Sequence, residues 1–115
     1  MDSTTERDRL IETYEARTRW MAERMAGALL RNHDLKGKGD WREDASLRGL
    51  FLGLVGEVGE LSKAVAGWLY TPPEAQTPET SLAVVLECVD VANYAMMIAD
   101  LAHEMMKEAE ARRGL

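Results

Sequence analysis

The stretch VGEVGELSKAV, residues 55–65, places Glu57 and Glu60 inside a run of small and apolar residues. Residues three apart lie on the same face of an α-helix, so the two carboxylates are predicted to be neighbours. Apolar residues around them recur with the helical period, at Leu47, Leu50, Phe51, Leu54, Val58, Leu61 and Val65. The stretch therefore predicts a helix that begins near Asp44 or Ser46, ends at about Trp68 and carries acid on one side.

Four glycines recur every three or four residues in this predicted helix, at Gly49, Gly53, Gly56 and Gly59. Each glycine in a helix interior costs roughly 1 kcal/mol relative to alanine. Such a cost is tolerated where a neighbouring element must come close to the helix backbone. The glycines therefore predict a tightly packed partner helix.

The rest of the chain is also predicted to be helical. Residues 3–6, STTE, match a capping box, and the apolar stripe that follows indicates a first helix from Ser3 to about Leu29. Two glycines and mixed charge in residues 31–44 indicate a loop, and three prolines in residues 71–80 indicate a turn. Thr77 and Pro78 are typical of the N-cap and first position of a last helix that reaches about Arg112, either continuous or broken near Asp100 into two.

No segment alternates apolar and polar residues as a half-buried strand does, and no internal repeat of fixed period is present. A chain of 115 residues is the size of one domain. The sequence thus predicts a single all-α domain over residues 1–115, resembling a four-helix bundle.

Composition restricts the classes of partner and compartment. A net charge of -6 opposes binding to a nucleic-acid backbone, which depends on lysine and arginine. The single cysteine, Cys88, and the polar N-terminus predict a cytoplasmic protein. Residues 82–99 are apolar but contain Glu87, Asp90 and Asn93, which are costly in hydrocarbon, so they predict a buried helix and no membrane span.

A second acidic pair, Glu87 and Asp90, repeats the three-residue spacing in the last helix. The short connection through the proline turn favours antiparallel packing, which would bring the pair against Glu57 and Glu60. Four carboxylates in an apolar bundle repel one another and lose hydration unless cations compensate. A set of hard oxygen ligands without histidine predicts Mg²⁺, Mn²⁺ or Ca²⁺ and disfavours zinc.

The alternative reading of either pair is a solvated helix face, which is the usual role of an isolated Glu-x-x-Glu. The second pair, however, lies in a segment where nearly every other residue is apolar. That setting favours a functional site.

The motifs EVGE at residues 57–60 and ECVD at residues 87–90, with their flanks GLVGEVGEL and DVANYAMMIAD, resemble the MazG-type all-α nucleoside triphosphate pyrophosphohydrolases. This family is related to the dimeric dUTPases and dCTP pyrophosphatases and includes small phage-encoded members. The similarity covers roughly residues 30–102. It implies a MazG-type fold, an oligomer and a hydrolase of nucleotides.

In that family the four acids hold Mg²⁺, for which Mn²⁺ is expected to substitute, and water attacks the α-phosphorus to give a monophosphate and pyrophosphate. The resemblance implies that Glu57, Glu60, Glu87 and Asp90 are the metal ligands and that one of them activates water. It does not identify which one. The positions that would hold base and sugar are His33, Trp41, Asn93 and Tyr94.

Several cations are candidates for binding phosphate. Lys36 lies with Lys38, Arg42 and Arg48 around the glycine-containing loop, where acids nearly balance them, so a solvated surface explains them equally well. Lys63 lies one turn after Glu60 and either contacts phosphate, which we favour, or pairs with Glu60.

Base identity is not encoded in the spacing of these residues. The phage-like character of DVANYAMMIAD gives only a slight preference for the purine substrates dGTP and dATP.

Two other functions fit the same residues. A helical interaction module would use the acids to pair with a basic partner and the methionine-rich residues 95–106 to dock a helix. A carboxylate-bridged di-iron bundle needs Glu-x-x-His on two helices, but residue 90 is aspartate and residue 63 is lysine. For any of these functions, long helices with broad apolar faces predict a homodimer or tetramer.

Overall fold

The computed structural model describes the backbone of residues 3–36 and 46–114, with the side chains of residues 5–33 and 46–114. These residues form three long α-helices and one short 3₁₀-helix, with no β-strand among them. The helices are α1 (Ser3–Lys36), α2 (Leu47–Tyr70) and α3 (Pro78–Arg113), and the 3₁₀-helix is Pro73–Ala75. The predicted all-α class is confirmed.

Local hydrogen bonds determine where α2 and α3 begin. The Ser46 hydroxyl accepts a hydrogen bond from the Gly49 amide at 3.0 Å and caps α2. Thr77 and Thr80 form a reciprocal capping box at the start of α3, where Pro78 occupies the first turn. The hydroxyl groups accept hydrogen bonds from backbone N–H groups of the first turn that would otherwise have no partner, and Pro78 has no N–H to satisfy. Both predicted helix starts are therefore confirmed.

The turn between α2 and α3 is closed by the side chain of Gln76. Its amide nitrogen donates to the carbonyl oxygens of Trp68 at 3.2 Å and Thr71 at 3.3 Å. These bonds satisfy carbonyl groups at the end of α2 and direct the chain back along it. The turn therefore places α2 and α3 side by side.

The pair formed by α2 and α3 is the main packing unit of the described chain. Glu57 lies close to Glu87 and Asp90, while Gly53, one turn earlier in α2, lies against Tyr94, one turn later in α3. Contacts that run in opposite directions along the two helices show that they are antiparallel. This is the predicted arrangement.

Helix α1 packs on another side of α3 and does not contact α2 in the described chain. At the crossing, the buried Asn93 donates its side-chain amide to the carbonyl oxygen of Met25 at 3.2 Å. Ala28 and Val89 are buried beside this bond. Helix α3 is therefore the central element, with a neighbour on either side.

One predicted boundary was wrong, and one question that the sequence left open is answered by the structure. Helix α1 continues through residues 31–36, which were expected to form a loop, because the first helix-breaking residue after Leu30 is Gly37. Helix α3 is not broken near Asp100, because residues 79–113 contain neither proline nor glycine. The described residues thus form three long helices, and the fourth helix of the predicted four-helix bundle is not found among them.

The buried interior is small for a chain of this length. Among the described side chains only Ala28, Leu50, Val89 and Asn93 are buried. The radius of gyration is 18.5 Å, compared with about 13 Å for a compact domain of this size. One chain therefore leaves much apolar surface uncovered.

Helix α3 is long and apolar enough, by length and composition alone, to cross a membrane. Only 11% of its most apolar window is buried, although the sequence predicted a buried helix there. A single helix of this kind is weak support for a membrane protein, because core helices of soluble proteins share these properties.

Candidate metal centre

Three acidic side chains converge between α2 and α3. One carboxylate oxygen from each of Glu57, Glu87 and Asp90 lies within 4.8 Å of the others, and all three residues are partly buried. Glu57 comes from α2, and the other two lie one turn apart on the facing side of α3. The antiparallel packing of two Glu-x-x-acid segments thus produces the cluster, as the spacing predicted.

One oxygen of the cluster has unusual surroundings. Oε2 of Glu87 is buried and has no hydrogen-bond partner among the described protein atoms. Removing a carboxylate oxygen from water without a partner is costly. A cation bound between the three acids would offset that cost, and this makes the cluster a candidate metal centre.

The spacing of the acids can be compared with known coordination geometry. Opposite oxygens around Mg²⁺ are about 4.2 Å apart and those around Ca²⁺ about 4.8 Å. Carboxylate oxygens that all lie within 4.8 Å of one another are compatible with either ion. The donors are all carboxylate oxygens, which suit Mg²⁺, Mn²⁺ or Ca²⁺. Groups of this kind also occur without an ion, so the geometry defines a candidate centre and not the metal that fills it.

The fourth predicted ligand, Glu60, does not join the cluster. Its side chain is 57% exposed and its Oε1 lies 3.7 Å from Nζ of Lys63. Lys63 is itself 79% exposed, so this pair contributes about 0.5 kcal/mol at most. The structure therefore places Glu60 one turn from the centre in a weak surface ion pair.

The predicted substrate residues that follow Asp90 lie on two sides of α3. Tyr94 is half-buried against Gly53 of α2, one turn from the cluster. Asn93 is turned towards α1 and is 4% exposed, and its Oδ1 has no hydrogen-bond partner in the described chain. Only Tyr94 therefore lies on the same side of α3 as the carboxylates.

The remaining predicted substrate residues contribute little geometry. His33 is exposed near the end of α1. The side chain of Lys36 and the whole of Trp41 lie outside the described residues. Their proposed contacts with base, sugar and phosphate stay predictions.

A cavity lies between α1 and α3, away from the carboxylates. It has a volume of about 430 Å³. Its lining is mostly apolar, with arginines and one glutamate, and comprises Glu23, Arg24, Gly27, Arg31, Leu82, Val85, Leu86 and Val89. None of the predicted site residues lines it. The cavity was not predicted, because no specific neighbour of α1 was predicted.

Two contacts near the centre were not predicted individually. The sequence indicated close approach at four glycines, but only Gly53 has a residue of another helix against it, the ring of Tyr94. Gly56 and Gly59 face open space in the described chain. The bond from Asn93 to Met25 was also missed, although a single asparagine in an apolar run is a signal for a buried polar contact.

No protein-family model, curated protein or solved structure matches this chain. The geometry of the three acids and the chemistry that they can support thus carry the functional argument.

Proposed function

We propose that this protein is a Mg²⁺-dependent nucleoside triphosphate pyrophosphohydrolase with a MazG-type fold. The observation that carries the proposal is the convergence of Glu57, Glu87 and Asp90 from two antiparallel helices. The proposed reaction is attack of water on the α-phosphorus, with cleavage of the bond to the bridging oxygen and release of pyrophosphate. Deoxynucleoside triphosphates are the expected substrates, with a slight preference for purines.

The protein groups have distinct parts in this proposal. Glu57, Glu87 and Asp90 would hold the cation, which when bound would neutralise triphosphate charge and make water more acidic. One carboxylate accepts the proton of the attacking water. Lys63, which pairs with Glu60 in the free protein, would bind a terminal phosphate after it leaves Glu60.

Glu60 is proposed as a fourth ligand that joins when substrate is present. Its exposed ion pair with Lys63 is weak, so separating the two side chains costs little. Glu60 would then turn towards the cation while Lys63 turns towards phosphate. This exchange explains how an acidic protein can accept a polyanion.

The direct test is incubation of the purified protein with each of the four dNTPs and Mg²⁺ in H₂¹⁸O. We expect nucleoside monophosphate and pyrophosphate, with ¹⁸O in the monophosphate because attack occurs at the α-phosphorus. Label in pyrophosphate or orthophosphate would place the attack elsewhere. Failure of every dNTP and NTP to release pyrophosphate would remove the proposal.

Substitutions test the assignment of ligands. Glu57→Gln, Glu87→Gln and Asp90→Asn should each lower kcat/KM by about 100-fold or more, because each removes a charged ligand. The matched control is Glu108→Gln, an exposed acid on α3 far from the cluster, which should leave kcat/KM unchanged. Glu60→Gln then measures whether the fourth acid takes part.

A helical interaction module is the second candidate, favoured by exposed apolar side chains on α2 such as Phe51 and Leu52, which are 56% and 59% exposed. The two functions differ in their response to Mg²⁺. A metal centre predicts a Mg²⁺-dependent rise in Tm that Glu57→Gln abolishes. A module without a metal predicts that Tm is insensitive to Mg²⁺ in both proteins.

A further inference from the structure

The apolar stripe of α1 is covered along only half of its length. Met21, Met25 and Leu29 are half-buried and Ala28 is buried where the helix crosses α3. Every described side chain from residue 5 to residue 20 is exposed. Helix α1 therefore extends well past its own packing partner.

The exposed half continues the same stripe. Leu10 and Tyr14 precede Met21 by eleven and seven residues, which are close to whole numbers of helical turns. Ile11 lies beside them and aligns with Leu29. Leu10 is 47% exposed, Ile11 42% and Tyr14 59%. A face that is apolar in register over its whole length indicates a second surface that covers the N-terminal half.

The surface area of the chain indicates how large that second surface is. The accessible area is 8971 Å², whereas a compact monomer of this mass exposes about 6,300 Å². If each of two chains covered this excess of about 2,700 Å², the dimer would bury about 5,400 Å² in total, which is the scale of large obligate interfaces. One chain thus exposes enough additional area for association with a second copy.

The charge of the exposed half points to the kind of partner. Residues 5–20 contain four acidic and four basic side chains, so they are neutral within a chain of net charge -6. A nucleic acid or an anionic membrane would need an excess of lysine and arginine there. Two copies of an acidic chain, by contrast, associate best through a segment that carries no net charge and offers both signs for pairing.

We propose that the N-terminal half of α1, through Leu10, Ile11 and Tyr14, is an interface with a second copy of this chain. In this dimer the apolar stripes of the two α1 helices would pack against each other and be buried between the two chains. This interface is independent of the proposed hydrolase activity, because the three residues lie on a helix that does not contribute to the carboxylate cluster.

The test is sedimentation equilibrium of the full chain over about 1–100 µM, a range in which a specific dimer is populated. The wild type should have the mass of a dimer or a higher even-numbered oligomer. The triple variant Leu10→Ala, Ile11→Ala, Tyr14→Ala should raise the dissociation constant by about 100-fold or more, because interface side chains of this size dominate affinity. Alanine maintains helix propensity, so circular dichroism should show unchanged helicity.

The matched control is Leu30→Ala. Leu30 is 63% exposed on the opposite face of the same helix. The Leu30→Ala variant should therefore associate with the same dissociation constant as the wild type. If the triple variant loses helicity, Tyr14→Ala alone should still raise the dissociation constant about tenfold. The proposal is overturned by a monomeric wild type, by equal association of the triple variant, by equal weakening in Leu30→Ala, or by stripe-dependent binding to lipid vesicles without self-association.

Discussion

At the scale of single residues, Gly53 explains how α2 and α3 come close together near the carboxylates. A Cβ atom built on Gly53 would lie 2.7 Å from Cζ and 3.0 Å from the hydroxyl oxygen of Tyr94. Gly53→Ala should therefore displace the ring and destabilise the fold by about 1–2 kcal/mol, because overpacking outweighs the gain in helix propensity. Chemical denaturation measures the change.

Gly56 provides the matched control, since a Cβ there would meet open space. Gly56→Ala should stabilise the protein by up to about 1 kcal/mol. In a Tyr94→Ala background Gly53→Ala should lose its penalty, since the ring that it displaces is absent. Equal effects of Gly53→Ala and Gly56→Ala would show that the ring does not determine the packing.

The acids illustrate what spacing alone can determine at this scale. Two Glu-x-x-acid segments on antiparallel helices were enough to predict that Glu57, Glu87 and Asp90 would meet. Spacing could not separate Glu57 from Glu60, because both lie on one side of α2. The difference arises from the exact rotation of α2 against α3, which depends on contacts such as Gly53 with Tyr94.

At the scale of helices, the capping box of α3 stabilises the start of the helix that carries two of the acids. Thr77→Ala removes the side chain that accepts from the Thr80 amide at 3.4 Å and should cost about 1 kcal/mol. Thr18→Ala is the control, because Thr18 lies inside α1 and its hydroxyl donates only to backbone carbonyl oxygens of the preceding turn, those of Tyr14 and Glu15. That control should be neutral or slightly stabilising, and a loss as large as that of Thr77→Ala would argue against a specific role of the cap.

Helix ends were predictable where the sequence supplies a cap and less so elsewhere. Ser46, Thr77 and Pro78 mark their helix starts by chemistry that acts within one turn. The end of α1 has no such signal before Gly37. The prediction from glycines and mixed charge placed it at about Leu29, seven residues or about two turns before Lys36. The alternative of a break near Asp100 is excluded, because no proline or glycine interrupts residues 79–113.

At the scale of the whole molecule, a small interior and an exposed apolar stripe couple folding to association. If a second copy covers that stripe, the Tm should rise with protein concentration, by about 5–10 °C over a hundredfold range. The triple alanine variant of the stripe should show a smaller rise. Differential scanning calorimetry at three concentrations measures both, and a Tm independent of concentration in the wild type would contradict the coupling.

The three helices and the antiparallel packing of α2 on α3 could be predicted from the sequence, but the position of α1 against α3 could not. Periodicity identifies an apolar face without naming the surface that covers it. The bond between Asn93 and Met25 determines where α1 crosses α3, and it joins residues 68 positions apart. Contacts at such separation are not encoded in any local pattern.

The central position of α3 also limits how the protein can change over generations. The uninterrupted helix α3 presents acids to α2 and the buried side-chain amide of Asn93 to α1, and Asp90 and Asn93 are only one turn apart. A substitution that rotates α3 to improve its contact with one neighbouring helix also moves its contact with the other. A substitution on one side of α3 is therefore expected to need a compensating change on the other side.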